Sequence, residues 1–130
     1  MIQIEELGRV LGKILSMVIG LKNSGNIKES YQTTYNELLN NTNIDLDNLL
    51  ASGDDQIKEL LNKKFHGRSD LYITLANILF EIAETEQNPE KQRNIYTKSY
   101  VLYELSVQMS KTFSLEVHTK MDRIKQLINI

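Results

Sequence analysis

The first twenty-two residues constrain the fold more than any other stretch. Ile4, Leu7, Leu11, Ile14, Val18 and Leu21 recur at intervals of 3, 4, 3, 4 and 3. That spacing lines one face of a helix and predicts a helix from about Ile2 to Lys22. Val10, Leu15, Met17 and Ile19 widen the apolar face, so burial on more than one side is expected. The polar remainder holds Glu5, Glu6, Arg9 and Lys13, with Glu5 and Arg9 four apart at helical reach.

The same period governs the rest of the chain. Asn23-Ser24-Gly25-Asn26 carries a glycine stop signal. A second helix is expected from about Ile27 to Asn40, with Ile27, Tyr31, Tyr35 and Leu38 inward. After a break at residues 40–43, Asp45 or Thr42 is placed to cap a short helix through Leu46, Leu49 and Leu50. A fourth segment carries Ile57, Leu60 and Leu61, and the run from Lys63 to Arg68 reads as a basic, solvated linker. Ser69 can cap a fifth helix containing Leu71, Leu75, Ile78 and Ile82, which is apolar around most of its girth and belongs in the core. Pro89 suits the first position of a sixth helix. Residues 112–114 break that helix, Ser114 starts the last one, and Val117, Met121, Ile124 and Ile128 give the last one an apolar stripe. No run of alternating residues with turn signals on both sides competes as a strand. The expected class is all-α, with helical hairpins built from six to seven helices.

A chain of 130 residues is one domain's worth. With 41% hydrophobic and 25% charged residues, it reads as folded rather than disordered. It has no cysteine, which excludes disulfides, thiolate metal sites and cysteine nucleophiles. The net charge of −2 argues against nucleic acid as a partner. The charge divides mildly, with four basic and eight acidic side chains in residues 1–55 and eleven and nine in residues 56–130. The most apolar run, residues 14–21, is too short for a bilayer, which needs about 20 residues. The acidic start does not read as an export signal, so no membrane partner and a cytoplasmic location are expected.

Two local patterns echo the tetratricopeptide repeat: Gly25, Ile27 and Ser30 in one segment, and Tyr96 with Ser99 in another. Thr34 and Glu37 stand where the repeat has an aromatic and a small residue, so no unit is complete. Taken whole, the order of elements resembles a family of small bacterial all-helical proteins with tetratricopeptide-like helix pairs. These have an apolar first helix, a glycine turn, a leucine-rich segment like residues 44–50, a long hairpin and a closing helix like residues 114–128. The resemblance implies a single tetratricopeptide-like domain over residues 1–130. It implies no activity.

Two constellations are candidate interaction sites. Gly8, Gly12, Ser16 and Gly20 recur every four residues on the first helix. Such a ridge of small residues lets another helix approach closely, either this chain's own second helix or a second copy. Tyr96, Tyr100 and Tyr103 lie at i, i+4 and i+7 on the sixth helix, with Arg93 nearby. They either line a peptide groove, with Arg93 and Lys98 for a carboxylate, or fill the core between helix pairs.

Chemistry-bearing motifs are lacking. There is no phosphate-binding glycine loop, no His-Glu-x-x-His and no Gly-x-Ser-x-Gly. His66 and His118 share no motif, and His118 with Asp122 makes at most two ligands where a metal needs three or four. Glu81 and Glu84 share a helix face without an accompanying Glu-x-x-His, and with Glu86 they are expected to form a solvated acidic face. No metal, no cofactor and no catalysis are therefore expected. The leading expectation is a protein- or peptide-binding module. A self-associating (homodimeric) structural protein comes second, and an unrecognised enzyme or metal protein third.

Overall fold

The structure is a computed structural model that describes residues 3–111 and 113–129. All regular structure among the described residues is helical. The elements are α1 (Ile4–Asn23), a single 3-10 turn (Ile27–Glu29), α2 (Ser30–Thr42), α3 (Leu46–Ala51), α4 (Asp54–Phe65), α5 (Ser69–Thr85), α6 (Pro89–Met109) and α7 (Leu115–Ile128). Ile2, expected to open the first helix, lies outside the described residues, as does Thr112.

The helix ends follow from local chemistry. After α1, Gly25 takes a left-handed conformation with φ +81. The Asn26 amide then donates to the Leu21 carbonyl at 2.9 Å, and the Gly25 amide to that of Lys22 at 3.2 Å. This pair of bonds satisfies carbonyls the helix leaves open. Asn43 does the same after α2 from a left-handed conformation. Asp45, rather than Thr42, caps α3 by accepting from the Asn48 amide. Asn88 caps α6 ahead of Pro89, and Ser114 caps α7. Ser69 does not cap α5: it is the first helical residue, and Arg68 precedes it without a side-chain cap.

The core centres on α5, which packs most extensively against α6 and next against α1. Leu75, Ala76, Ile78, Leu79 and Ala83 on α5 are fully buried. On α1 the buried stripe is Leu7, Leu11, Ile14 and Val18, while Val10, Leu15 and Met17 are half-buried and Ile19 is exposed. Its apolar girth is therefore wider than its buried face.

Three local expectations need correction. The buried face of α2 is Ser30, Thr34, Leu38 and Thr42, with Tyr31 and Tyr35 only half-buried. The short hydroxyl side chains allow close approach, and two of them satisfy themselves by donating to the carbonyl four residues back: Thr34 to Ser30 at 2.7 Å and Thr42 to Leu38 at 2.6 Å. Tyr31 sits at the boundary, where its hydroxyl donates to Asp47 and the Lys91 ammonium lies 3.5 Å from its ring centroid. The basic linker is shorter than expected, because α4 continues through Lys63 and Lys64 to a fully buried Phe65. Phe65 meets Tyr72 edge-to-face at 5.0 Å, and the chain leaves the helix through His66 and Gly67, both at positive φ. Finally, Arg9 pairs with Glu6 at 3.2 Å rather than with Glu5.

Candidate partner-binding surfaces

The tyrosine stripe of α6 does not line an open groove. Tyr103 is fully buried and Tyr96 is 5% exposed, while Tyr100 is half-buried. Together with Phe80 and Asn77 of α5, these residues form the bed on which α7 lies. The Tyr103 hydroxyl donates to Asn77 Oδ1, which also accepts from Lys120 of α7 at 3.1 Å. The Lys120 ammonium is 5.2 Å from the Phe80 ring and that of Lys125 is 5.8 Å from the Tyr100 ring. Phe80 meets Tyr96 edge-to-face at 5.6 Å. From its own face α7 buries Val117, Ile124 and Ile128.

One end of this bed opens to solvent as a cleft. Pro89, Glu90, Gln92, Arg93, Tyr96, Leu127 and Ile128 line a cleft of about 510 Å³ between the start of α6 and the end of α7. Arg93 is exposed there, and Leu127 is 49% exposed. Leu127 was not singled out from the sequence. The available signal was that Leu115 and Leu127 fall off the stripe formed by Val117, Met121, Ile124 and Ile128.

The glycine ridge also divides. A methyl group added at Gly8 would stand 3.3 Å from Leu71 Cδ2, so Gly8 is a close-packing position against α5 rather than α2. At Gly12 and Gly20 an added methyl would meet nothing within 4 Å. Ser16 and Gly20 are exposed. Among the described residues, nothing stands close to the ridge at Gly12 or Gly20.

The expected solvated acidic face is instead tied to α1. Lys22 Nζ lies 2.7 Å from Glu81 and 3.0 Å from Glu84, and the Glu81 side chain is only 11% exposed. This correction has a simple physical reason. Glu81 and Glu84 follow the buried side of α5 into the region where α1 ends, and the long lysine side chain reaches both. The hydrogen bond to Glu81 is the main cause that raises the Lys22 pKa above its ordinary value, against the opposing effect of burial. Glu86 pairs more loosely, 3.8 Å from Lys91.

His66 ends α4. His118 Nδ1 lies 3.1 Å from the Ser114 carbonyl oxygen, and its ring packs on Phe113 at 4.7 Å. Among the described residues, no group of three His, Cys, Asp or Glu is placed to hold a metal ion, and no helix is long and apolar enough to cross a membrane.

Burial makes the alkaline limb of stability informative. It pushes the Tyr96 hydroxyl up to about 12, with the Glu84 carboxylate adding to the effect, and it raises Tyr72 and Tyr103 as well. A group whose pKa is raised on folding keeps its full contribution below its unfolded value and loses it as pH climbs through the folded value. Stability is therefore expected to fall from about pH 10, the ordinary tyrosine value, upward, with Lys22 adding to the loss at the top of that range. Unfolding followed by circular dichroism should coincide with the tyrosinate absorbance of the buried rings. Early titration of those rings in a folded chain would contradict their burial.

No family model, curated protein or solved structure matches this chain.

Proposed function

We propose that the chain is a non-enzymatic protein–protein interaction module of the bacterial cytoplasm, with its helices arranged as tetratricopeptide-like hairpins. The helix pairs α1–α2 and α5–α6, brought together by the packing of α1 on α5, support the hairpin arrangement. The contact surface is the cleft at the open end of the tyrosine bed. The observation that carries this reading is a cation and an uncovered apolar side chain, Arg93 and Leu127, at one cleft over the edge of Tyr96. Such a site suits a protein segment with an apolar side chain beside a carboxylate. In affinity capture from the native cells, the tagged chain should retain a near-stoichiometric partner. Arg93→Glu and Leu127→Asp should each lose that partner, with thermal stability little changed because both side chains are exposed. A partner that both variants retain would move the contact elsewhere, and recovery of only untagged copies of the chain would favour the second reading.

That second reading is self-association through the outer face of α1, and the open space at Gly12 and Gly20 favours it. A glycine inside a helix costs about 0.5–1 kcal/mol relative to alanine, and this chain's own packing gives no reason for Gly12. A second helix at that face supplies one. On this reading Gly12→Leu abolishes a dimer mass in sedimentation while helicity is kept. If the chain is instead monomeric through α1, Gly12→Ala simply raises stability by about 0.5–1 kcal/mol and the mass does not change.

A further inference from the structure

We propose that the groove between α1 and α2 is a two-fold dimer interface: a second copy of this chain lays its own α1 there, so that Lys13 of each copy meets Glu37 of the other. This deepens the self-association reading and rests on it.

α1 carries a second stripe beside the buried one. Val10, Lys13, Met17 and Gly20 recur at intervals of 3, 4 and 3, which sets them along one side of the helix. Val10, Lys13 and Met17 line a cleft of about 300 Å³ together with Ile14 of α1 and Glu37 and Asn41 of α2, so the two helices present a single surface. Its floor is apolar: Ile14 is buried, and Val10 and Met17 are half-buried. The flexible thioether side chain of Met17 suits a floor that must fit an incoming helix. Further along the stripe, Gly20 is exposed, and an added methyl there would meet nothing within 4 Å. That leaves room for a helix backbone alongside α1.

One charge of each sign borders the floor. Lys13 is exposed on α1, and Glu37 is half-buried on α2. The Asn41 amide donates to Glu37 Oε2 at 2.6 Å and fixes the carboxylate at the groove wall. Among the described residues, neither Lys13 nor Glu37 has an ion-pair partner, so they do not neutralise each other across the groove. A two-fold axis turns a patch onto its own copy. Here that operation brings ammonium to carboxylate on both sides of the axis and apolar floor to apolar floor between them. A patch bearing one sign alone would repel its copy. The groove is therefore complementary to itself, and a second copy is the occupant that its charges fit.

Sedimentation of the full chain tests this. The wild type should dimerise reversibly, and more weakly as salt is raised. Lys13→Glu and Glu37→Lys should each weaken the dimer by at least about tenfold, because each sets two like-charge pairs across the axis. Helicity and thermal stability should stay close to wild type, because neither side chain has an ion pair to lose within the chain. An equimolar mixture of the two variants should recover the dimer as a heterodimer, since opposite charges again face each other at both pairs. The chain carrying both substitutions should recover it alone. Loss of the dimer in both single variants without recovery on mixing would overturn the two-fold pairing. A dimer that both single variants keep, and that Gly12→Leu abolishes, would overturn the groove as its site while leaving association through α1 in place. A wild type that is monomeric at every concentration would overturn both.

Discussion

Replacing Tyr103 with alanine is expected to lower the stability of the chain by about 3–5 kcal/mol, the usual penalty for truncating a buried aromatic side chain. In a domain of this size that corresponds to a fall in Tm of roughly 10–20 °C. The ring is fully buried between α5, α6 and α7, so its removal opens a cavity and orphans a hydrogen bond at once. Tyr103→Phe separates the two effects. It keeps the ring, leaves Asn77 with Lys120 as its remaining side-chain donor, and should cost about 1–2 kcal/mol. Tyr100 gives the contrast, because it is half-buried under the Lys125 side chain. Tyr100→Ala should cost about 1 kcal/mol, within the ordinary range for a partly exposed position. Thermal melts of the three variants check the order. Equal losses at positions 100 and 103 would mean that the stripe is not buried as described.

The periodicity that revealed this stripe also shows the limit of reading a sequence alone. Positions 96, 100 and 103 lie on one helical face whether that face lines a groove or receives another helix. Deciding between the two requires knowing where α7 goes, and its apolar stripe says only that it is buried against something. The helices themselves were legible for a stronger reason. Ile4 to Leu21, Leu71 to Ile82 and Val117 to Ile128 carry the 3.6-residue period over several turns, and cap chemistry that acts locally marks the end of α1 at Gly25 and the starts of α3 and α7 at Asp45 and Ser114.

Long-range pairing left no such signal. Nothing near Glu81 in the sequence announces Lys22, 59 residues away. Likewise, a threonine on an inward face reads as polar until its hydroxyl is seen to bond its own helix, as Thr34 and Thr42 do. The glycine ridge was visible as a spacing. That only Gly8 has a neighbour at close range follows from the packing of α1 on α5.

Lys22→Met is the second substitution with a large expected effect. It leaves Glu81 and Glu84 side by side with their shared cation gone. Glu81 is 11% exposed at its side chain, so its charge keeps much of its desolvation penalty. Breaking a fully buried pair from one side costs about 3–5 kcal/mol. Here Lys22 is 31% exposed, so solvent screens part of the loss, and about 2 kcal/mol is expected. The effect is asymmetric. Glu81→Leu removes the buried carboxylate and leaves Lys22 paired with Glu84 at 3.0 Å, so it should cost less than Lys22→Met. The double variant Lys22→Met with Glu81→Leu should recover most of the loss, because it joins two apolar side chains where a charge pair stood. Denaturant unfolding of the three chains gives the cycle. A double variant no more stable than Lys22→Met would show that the ion pair does not fasten α1 to α5.

This fold depends on α7 covering the tyrosine bed, where Lys120 reaches Asn77 and Phe80. The most direct test of that covering is an NMR measurement with a soluble paramagnetic agent, read on the aromatic side chains. Phe113 serves as the exposed reference within the same molecule. The Tyr96 and Tyr103 rings should be protected while Phe113 broadens, and nuclear Overhauser contacts should join the Lys120 methylenes to the Phe80 ring. Broadening of Tyr96 and Tyr103 to the same extent as Phe113, with no contact between Lys120 and Phe80, would contradict the claim and return the stripe to the surface as an open groove.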